Sequence, residues 1–116
     1  MCSSDLNKPV AAVGYSGGMA AGIRAVEHLA HIVIEAEAIP LRNTVLVPFV
    51  GAAFDEHHSP VDPMTDIAMT VMLDDLAWWS TLLERGRAEG ELAPGTIRRM
   101  AAARAAAEAK AGPAGG

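Results

Sequence analysis

The chain has a single cysteine, Cys2, in 116 residues. One thiol excludes an internal disulfide and a multi-thiolate metal centre, and it agrees with a reducing compartment. Long apolar runs are missing too. The longest, VLVPFVGAAF from Val45 to Phe54, contains Pro48, and a run of about ten residues is too short to cross a bilayer. No basic segment leading into an apolar stretch is present, so no secretory signal is read, and a cytoplasmic location without a membrane partner is expected. Positive charge is in deficit: 9 Lys and Arg stand against 14 Asp and Glu, a net charge of −5. That balance argues against nucleic acid as a partner. There is neither a G-x-G-x-x-G nor a Walker lysine, which leaves a dinucleotide-binding fold and a P-loop unsupported.

What is present is a globular composition, 51% hydrophobic and 20% charged, enough for one small domain. Lys8 to Tyr15 is a valine- and alanine-rich run ended by Ser16-Gly17-Gly18. It reads as a buried parallel strand breaking at a glycine turn. From Ala20 to Glu37 apolar residues recur at helical spacing, with Ile23, Val26, Ala30 and Val33 on one face. Pro40 punctuates the chain, and Asn43 to Val47 is a second strand stopped by Pro48. Phe49 to Pro63 reads as a loop with Gly51, Pro60 and Pro63 as breakers. A long helix from Met64 to Gly86 follows, with Ala68, Met72, Leu76, Trp79 and Leu83 on one face. Ile67, Val71, Trp78 and Leu82 broaden that face enough to ask for more than one covering surface. After Gly95 comes an alanine-rich helix with Thr96 as its expected N-cap, then a frayed GPAGG end.

The order β-α-β-α plus a tail helix predicts an α/β fold with parallel strands. Two parallel strands cannot cover both helices, because parallel sheets are stable when several strands are sandwiched. The polar leader Met1–Leu6, without strand or helix period, is read as non-native in preference to a short natural tail, and the rest as an N-terminally truncated piece of a larger domain. The expected organisation is a leader at 1–6, a domain portion at 7–87, and a tail helix with a disordered end at 88–116.

Gly14-Tyr15-Ser16-Gly17-Gly18 fits G-x-S-x-G between a strand and a helix. In an α/β-hydrolase this turn exposes a nucleophilic serine, with Asp55, His57, His58 and Asp62 as candidate partners. Asp55 and His57 are too close in sequence to come from separate strand ends. The same turn also reads as a ligand loop, since glycines after a parallel strand let backbone N–H groups approach a ligand closely. A non-catalytic ligand-binding module and a glycine turn with no ligand both remain open on these residues.

Three stretches, KPVAAVGYSGGMAAGIRAVEHL, AIPLRNTVLVPFVGAAFDE and MLDDLAWWSTLLERGR, carry a resemblance running from Lys8 to Arg87. They resemble the C-terminal half of the NADPH-dependent FMN reductases, a flavodoxin-like family. The resemblance implies a parallel sheet with helices on both faces, and FMN and NADPH as cofactors. It implies an enzyme that takes hydride from NADPH through FMN to a small-molecule electron acceptor, and a homo-oligomer, dimer or tetramer. It places Ser16, Gly17, Gly18 and Met19, with Gly22 opening the helix, against the flavin ring. No catalytic side chain and no protein-bound metal are expected, because the flavin carries the chemistry. Ala20 and Ala21 depart from the family's second Ser-Gly, and the family's phosphate-binding loop has no counterpart here. The 116 residues alone are therefore expected to be inactive.

Other candidates read as structural. His28 and His31 lack a third ligand at matching spacing, and His57-His58 reads as an exposed loop pair. Trp78 and Trp79 are expected in core and subunit contacts. Arg98, Arg99 and Arg104 read as a solvated helix face, and Asp74 and Asp75 as a helix surface pair.

Overall fold

The computed structural model describes residues 6–112. The expected leader and its Cys2 thus lie outside the described residues, apart from Leu6, which is buried.

The run expected as one strand from Lys8 to Tyr15 forms two, β1 (Pro9–Val10) and β2 (Val13–Tyr15). They pair in parallel with β3 (Ile39–Pro40) and β4 (Val45–Val47), respectively. The split comes from a change of register. Pro9 stands opposite Ile39, but Val13 stands opposite Val45. Leu41 to Thr44 must therefore fit across from Ala11 and Ala12, and surplus residues on one strand interrupt a ladder.

Pro40, expected as punctuation, sits inside β3. Ile39 N–H donates to the Lys8 carbonyl (2.8 Å) and Leu41 N–H to the Val10 carbonyl (2.9 Å). The residue between them turns its backbone nitrogen to the opposite edge, where a missing N–H costs no ladder bond.

The helix α1 spans Ile23–Glu35, shorter than expected at both ends. Ala21 (φ 54°) and Gly22 (φ 77°) are left-handed, so the chain cannot be helical before Ile23. At the far end Glu37 is left-handed (φ 57°). Its N–H donates to the Ile34 carbonyl (2.9 Å), and Ala38 N–H donates to the Val33 carbonyl (3.2 Å). This is the bond pattern of a Schellman stop, built here without glycine.

The helix α2 runs over Pro63–Gly90. Asp62 caps it by accepting from Met64 N–H (2.9 Å), and Pro63, expected as a breaker, occupies the first helical position. A proline there loses no helical bond. Asp62→Ala should cost about 1 kcal/mol of helix stability and speed hydrogen exchange at Met64 N–H. Unchanged exchange would show that Pro63 alone sets the helix start. The last turn of α2 is tied to the chain start, since the Arg87 guanidinium donates to the Asn7 carbonyl (3.0 Å).

The helices take opposite faces of the paired strands. A β-carbon on Gly14 would meet Val26 of α1, while Val45 and Val47 pack with Met72 of α2 in the buried core. Asp75, expected as a surface residue, is half-buried and accepts from the Asn43 side chain, pinning α2 to the irregular Leu41–Thr44 stretch. Trp78 and Trp79 stack edge to face with ring centroids 5.2 Å apart. Both are exposed within this chain rather than in its core.

The helix α3 (Gly95–Ala111) buries no residue. Thr96 does not cap it. The Glu37 carboxylate does, accepting from Gly95 N–H at 2.6 Å, where an anion is favoured by the helix dipole. Because α3 projects, the radius of gyration is 21.3 Å, against roughly 13 Å for a compact domain of about 100 residues.

Candidate functional site

The loop from Ser16 to Gly22 leaves the carboxyl end of β2 and leads into α1. Gly14 sets its starting direction. A β-carbon there would lie 2.8 Å from the Ala21 carbonyl oxygen and 3.0 Å from the Leu46 side chain, so only glycine lets the loop fold back so closely. Gly22 is also required, because its positive φ coincides with a Tyr15 carbonyl 3.0 Å from any added β-carbon.

The loop is stitched to the chain after β4. Ser16 N–H donates to the Val47 carbonyl (3.2 Å), Val50 N–H to the Ser16 carbonyl (2.9 Å) and Phe49 N–H to the Gly18 carbonyl (3.1 Å). The Ser16 hydroxyl turns inward, donating to the Gly18 carbonyl (3.0 Å) and accepting from Gly18 N–H (3.3 Å). Among the described residues the N–H groups of Gly17 and Met19 have no acceptor.

Gly17 and Gly18 differ from Gly14 and Gly22. Neither has a positive φ, and a β-carbon on either would meet nothing within 4 Å. Nothing in the chain itself requires glycine at these positions. The bare backbone faces open space with a free donor at Gly17, and the neighbouring Met19 side chain is 80% exposed. Such a surface suits a flat ligand lying against the main chain. Beside it, between β4 and the start of α2, is an apolar hollow of about 540 Å³ lined by Val47, Pro48, Phe49, Val61 and Met64.

The candidate hydrolase partners are engaged elsewhere. Asp55 accepts from the N–H groups of His57 (2.8 Å) and Ser59 (3.0 Å), closing its own loop. Asp62 is the α2 cap. The His57 ring lies 3.5 Å from Glu56, both exposed. None of these side chains bonds to Ser16, so the structure does not bring a nucleophile, base and acid together. His28 and His31 are exposed on α1, and among the described residues no three His, Cys, Asp or Glu side chains gather as a metal site. No helix of the described residues is long and apolar enough to cross a membrane.

The family model for NADPH-dependent FMN reductase matches residues 5–52. That stretch is similar to the FMN reductases over less than half of the chain. The match takes in the glycine loop, α1, all four strands and the Phe49 turn, in the N-terminal part of the chain. The resemblance read as far as Arg87 is matched to residue 52, so the AFDE loop and α2 lie beyond it. No curated protein and no solved structure gives a match to the chain. The match supports a flavin-reductase type of function.

Phe49 does not stand out among the candidate residues of the sequence. Its only signal is an aromatic residue directly after Pro48, where the strand must turn toward the glycine loop.

Proposed function

We propose that this chain supplies the ring-binding part of a flavodoxin-like, NADPH-dependent flavin oxidoreductase. The reading rests on one observation: Gly17 and Gly18 are glycines that the chain's own packing does not need, at the carboxyl end of a parallel strand where α/β folds bind ligands. Ser16, Gly17, Gly18 and Met19 would hold one side of the FMN ring, with Gly22 opening the helix behind them. When bound, FMN supplies two-electron chemistry, accepting hydride from NADPH and passing electrons to a small-molecule acceptor.

The chain's own groups have simpler tasks. The free Gly17 and Met19 N–H groups offer donors to polar edge atoms of the ring. Ser16, bonded on both sides to Gly18, keeps the loop in shape and moves no proton. The turn to Phe49 and Val50 fixes the loop from below. Residues 7–87 would form one portion of the sheet-and-helix domain, with 88–116 as an appended helix, in a cytoplasmic homo-oligomer. The open edge of β2 and the exposed faces of α1 and α2 support the placement of these strands within a larger sheet, completed by segments that also carry the phosphate-binding loop.

In a chain extended upstream to include those segments, Ser16→Ala should leave NADPH oxidation within about tenfold. A nucleophilic serine would lose 10³-fold or more on the same change, roughly as catalytic triads do. A loss of that size, or covalent labelling of Ser16 by a fluorophosphonate, would sink the flavin reading and restore the hydrolase.

A further inference from the structure

Phe49 holds a backbone conformation that bulky residues avoid, φ 46° and ψ 52°. In this left-handed region the β-carbon crowds the following carbonyl, and glycine or asparagine would sit there with less strain. Packing does not explain the choice, because the phenyl ring is 55% exposed and stands outside the buried core. Strain of this kind persists only where surrounding bonds over-determine it, and it gathers at functional sites.

The surrounding bonds are three. Phe49 N–H donates to the Gly18 carbonyl (3.1 Å), and the next N–H, on Val50, donates to the Ser16 carbonyl (2.9 Å). The Phe49 carbonyl accepts from Ala52 N–H (2.9 Å), which closes the short 3₁₀ turn Val50–Ala52. The left-handed step is what aims two successive N–H groups at two carbonyls of the glycine loop, since an extended residue would send them to opposite sides. With the carbonyls of Ser16 and Gly18 held from beneath, the N–H groups of Gly17 and Met19 are left without acceptors among the described residues.

We propose that Phe49 is a positioning residue for the glycine loop. Its left-handed backbone clamps the Ser16 and Gly18 carbonyls and so presents the Gly17 backbone to a ligand. The ligand, a flavin ring, rests on the function proposed above; the clamp itself does not. The backbone conformation does the positioning, so the substitution pattern runs against side-chain size. Phe49→Gly keeps the left-handed turn and relieves the strain. Phe49→Val, β-branched, opposes it.

The test uses the whole chain, with amide NMR shifts of Gly17 and Gly18 as the loop readout. Lumiflavin, which carries the ring without the phosphate, is the binding probe. Phe49→Gly should raise the unfolding midpoint, leave the two amide shifts in place and keep lumiflavin affinity within about threefold. Phe49→Val should displace both amide shifts without ligand and weaken lumiflavin at least about tenfold, while the α1 amides stay put.

Loop shifts moved as far by Phe49→Gly as by Phe49→Val would overturn the clamp and assign the role to the phenyl ring. Unmoved shifts in Phe49→Val would also overturn it. Should Phe49→Val fail to fold, the Phe49→Gly arm decides alone, a lowered midpoint or a displaced loop counting against the proposal. If lumiflavin leaves the Gly17 and Gly18 amides of the parent chain untouched, the flavin reading fails, and the ligand-free shifts still judge the clamp.

Discussion

Purified as it stands, the 116-residue chain is expected to self-associate obligately and to unfold as an oligomer. Along α2, Ile67, Val71, Trp78 and Leu82 are between 44% and 61% exposed, and on β2 Val13 and Tyr15 are 48% and 69% exposed. Fully burying one such side chain is worth about 1.5–3 kcal/mol. Six of them left half in water forfeit a sum comparable with the whole margin of a small domain, about 5–15 kcal/mol. The buried core offers little in return, since among the described residues seven apolar side chains are buried, and Val45, Val47 and Met72 form its cluster. Sedimentation velocity with a thermal melt decides the matter. A monomer with one cooperative transition would show that this small core suffices, and the argument for further covering surfaces would fall.

The largest single-residue effect is expected at Gly14. Its added β-carbon would lie 2.8 Å from the Ala21 carbonyl, 2.9 Å from Val26 and 3.0 Å from Leu46. A backbone oxygen cannot step aside as a flexible side chain can, and forced overpacking costs about 1–3 kcal/mol or more. Gly14→Val should therefore destabilise the chain by about 3 kcal/mol, seen as a lower urea midpoint, and should part the glycine loop from α1. Gly17→Ala is the control. With open space around it, its midpoint should move by less than about 0.5 kcal/mol. Equal losses at the two positions would mean that the close approach at Gly14 does not hold the loop.

The contrast between these glycines shows what the sequence could reveal. A glycine turn after a valine-rich run was legible, because strand, break and helix follow one another locally. Which glycine serves packing and which faces open space was not, since Gly14 is judged by Leu46, far along the chain. Both long helices were legible from their apolar spacing. Their ends moved because single residues override periodicity, Ala21 and Gly22 by left-handed backbones and Asp62-Pro63 by a cap.

Thr96 was a reasonable cap by residue type, but Glu37 reaches Gly95 N–H from the other end of α1, a contact made only in three dimensions. The two half-strands were read as one because the register change resides in the pairing, not in either sequence. Phe49 escaped notice for a related reason: a left-handed phenylalanine cannot be told from an ordinary one by spacing.

The proline in β3 also bears on how the sheet can grow. Inward-facing positions on that side are Ile39, Leu41, Val45 and Val47, as their bonds to the neighbouring strand show. Outward donors must come from the alternating residues, and two of those, Pro40 and Pro48, have none. Leu46 is left between them, so that margin cannot offer a newcomer a continuous ladder. The opposite margin loses only its first donor, at Pro9, and keeps the N–H groups of Ala11, Val13 and Tyr15. The sheet is thus sealed on one side and receptive on the other. Any strand that joins in parallel would find its backbone partners beside β2, next to the glycine loop.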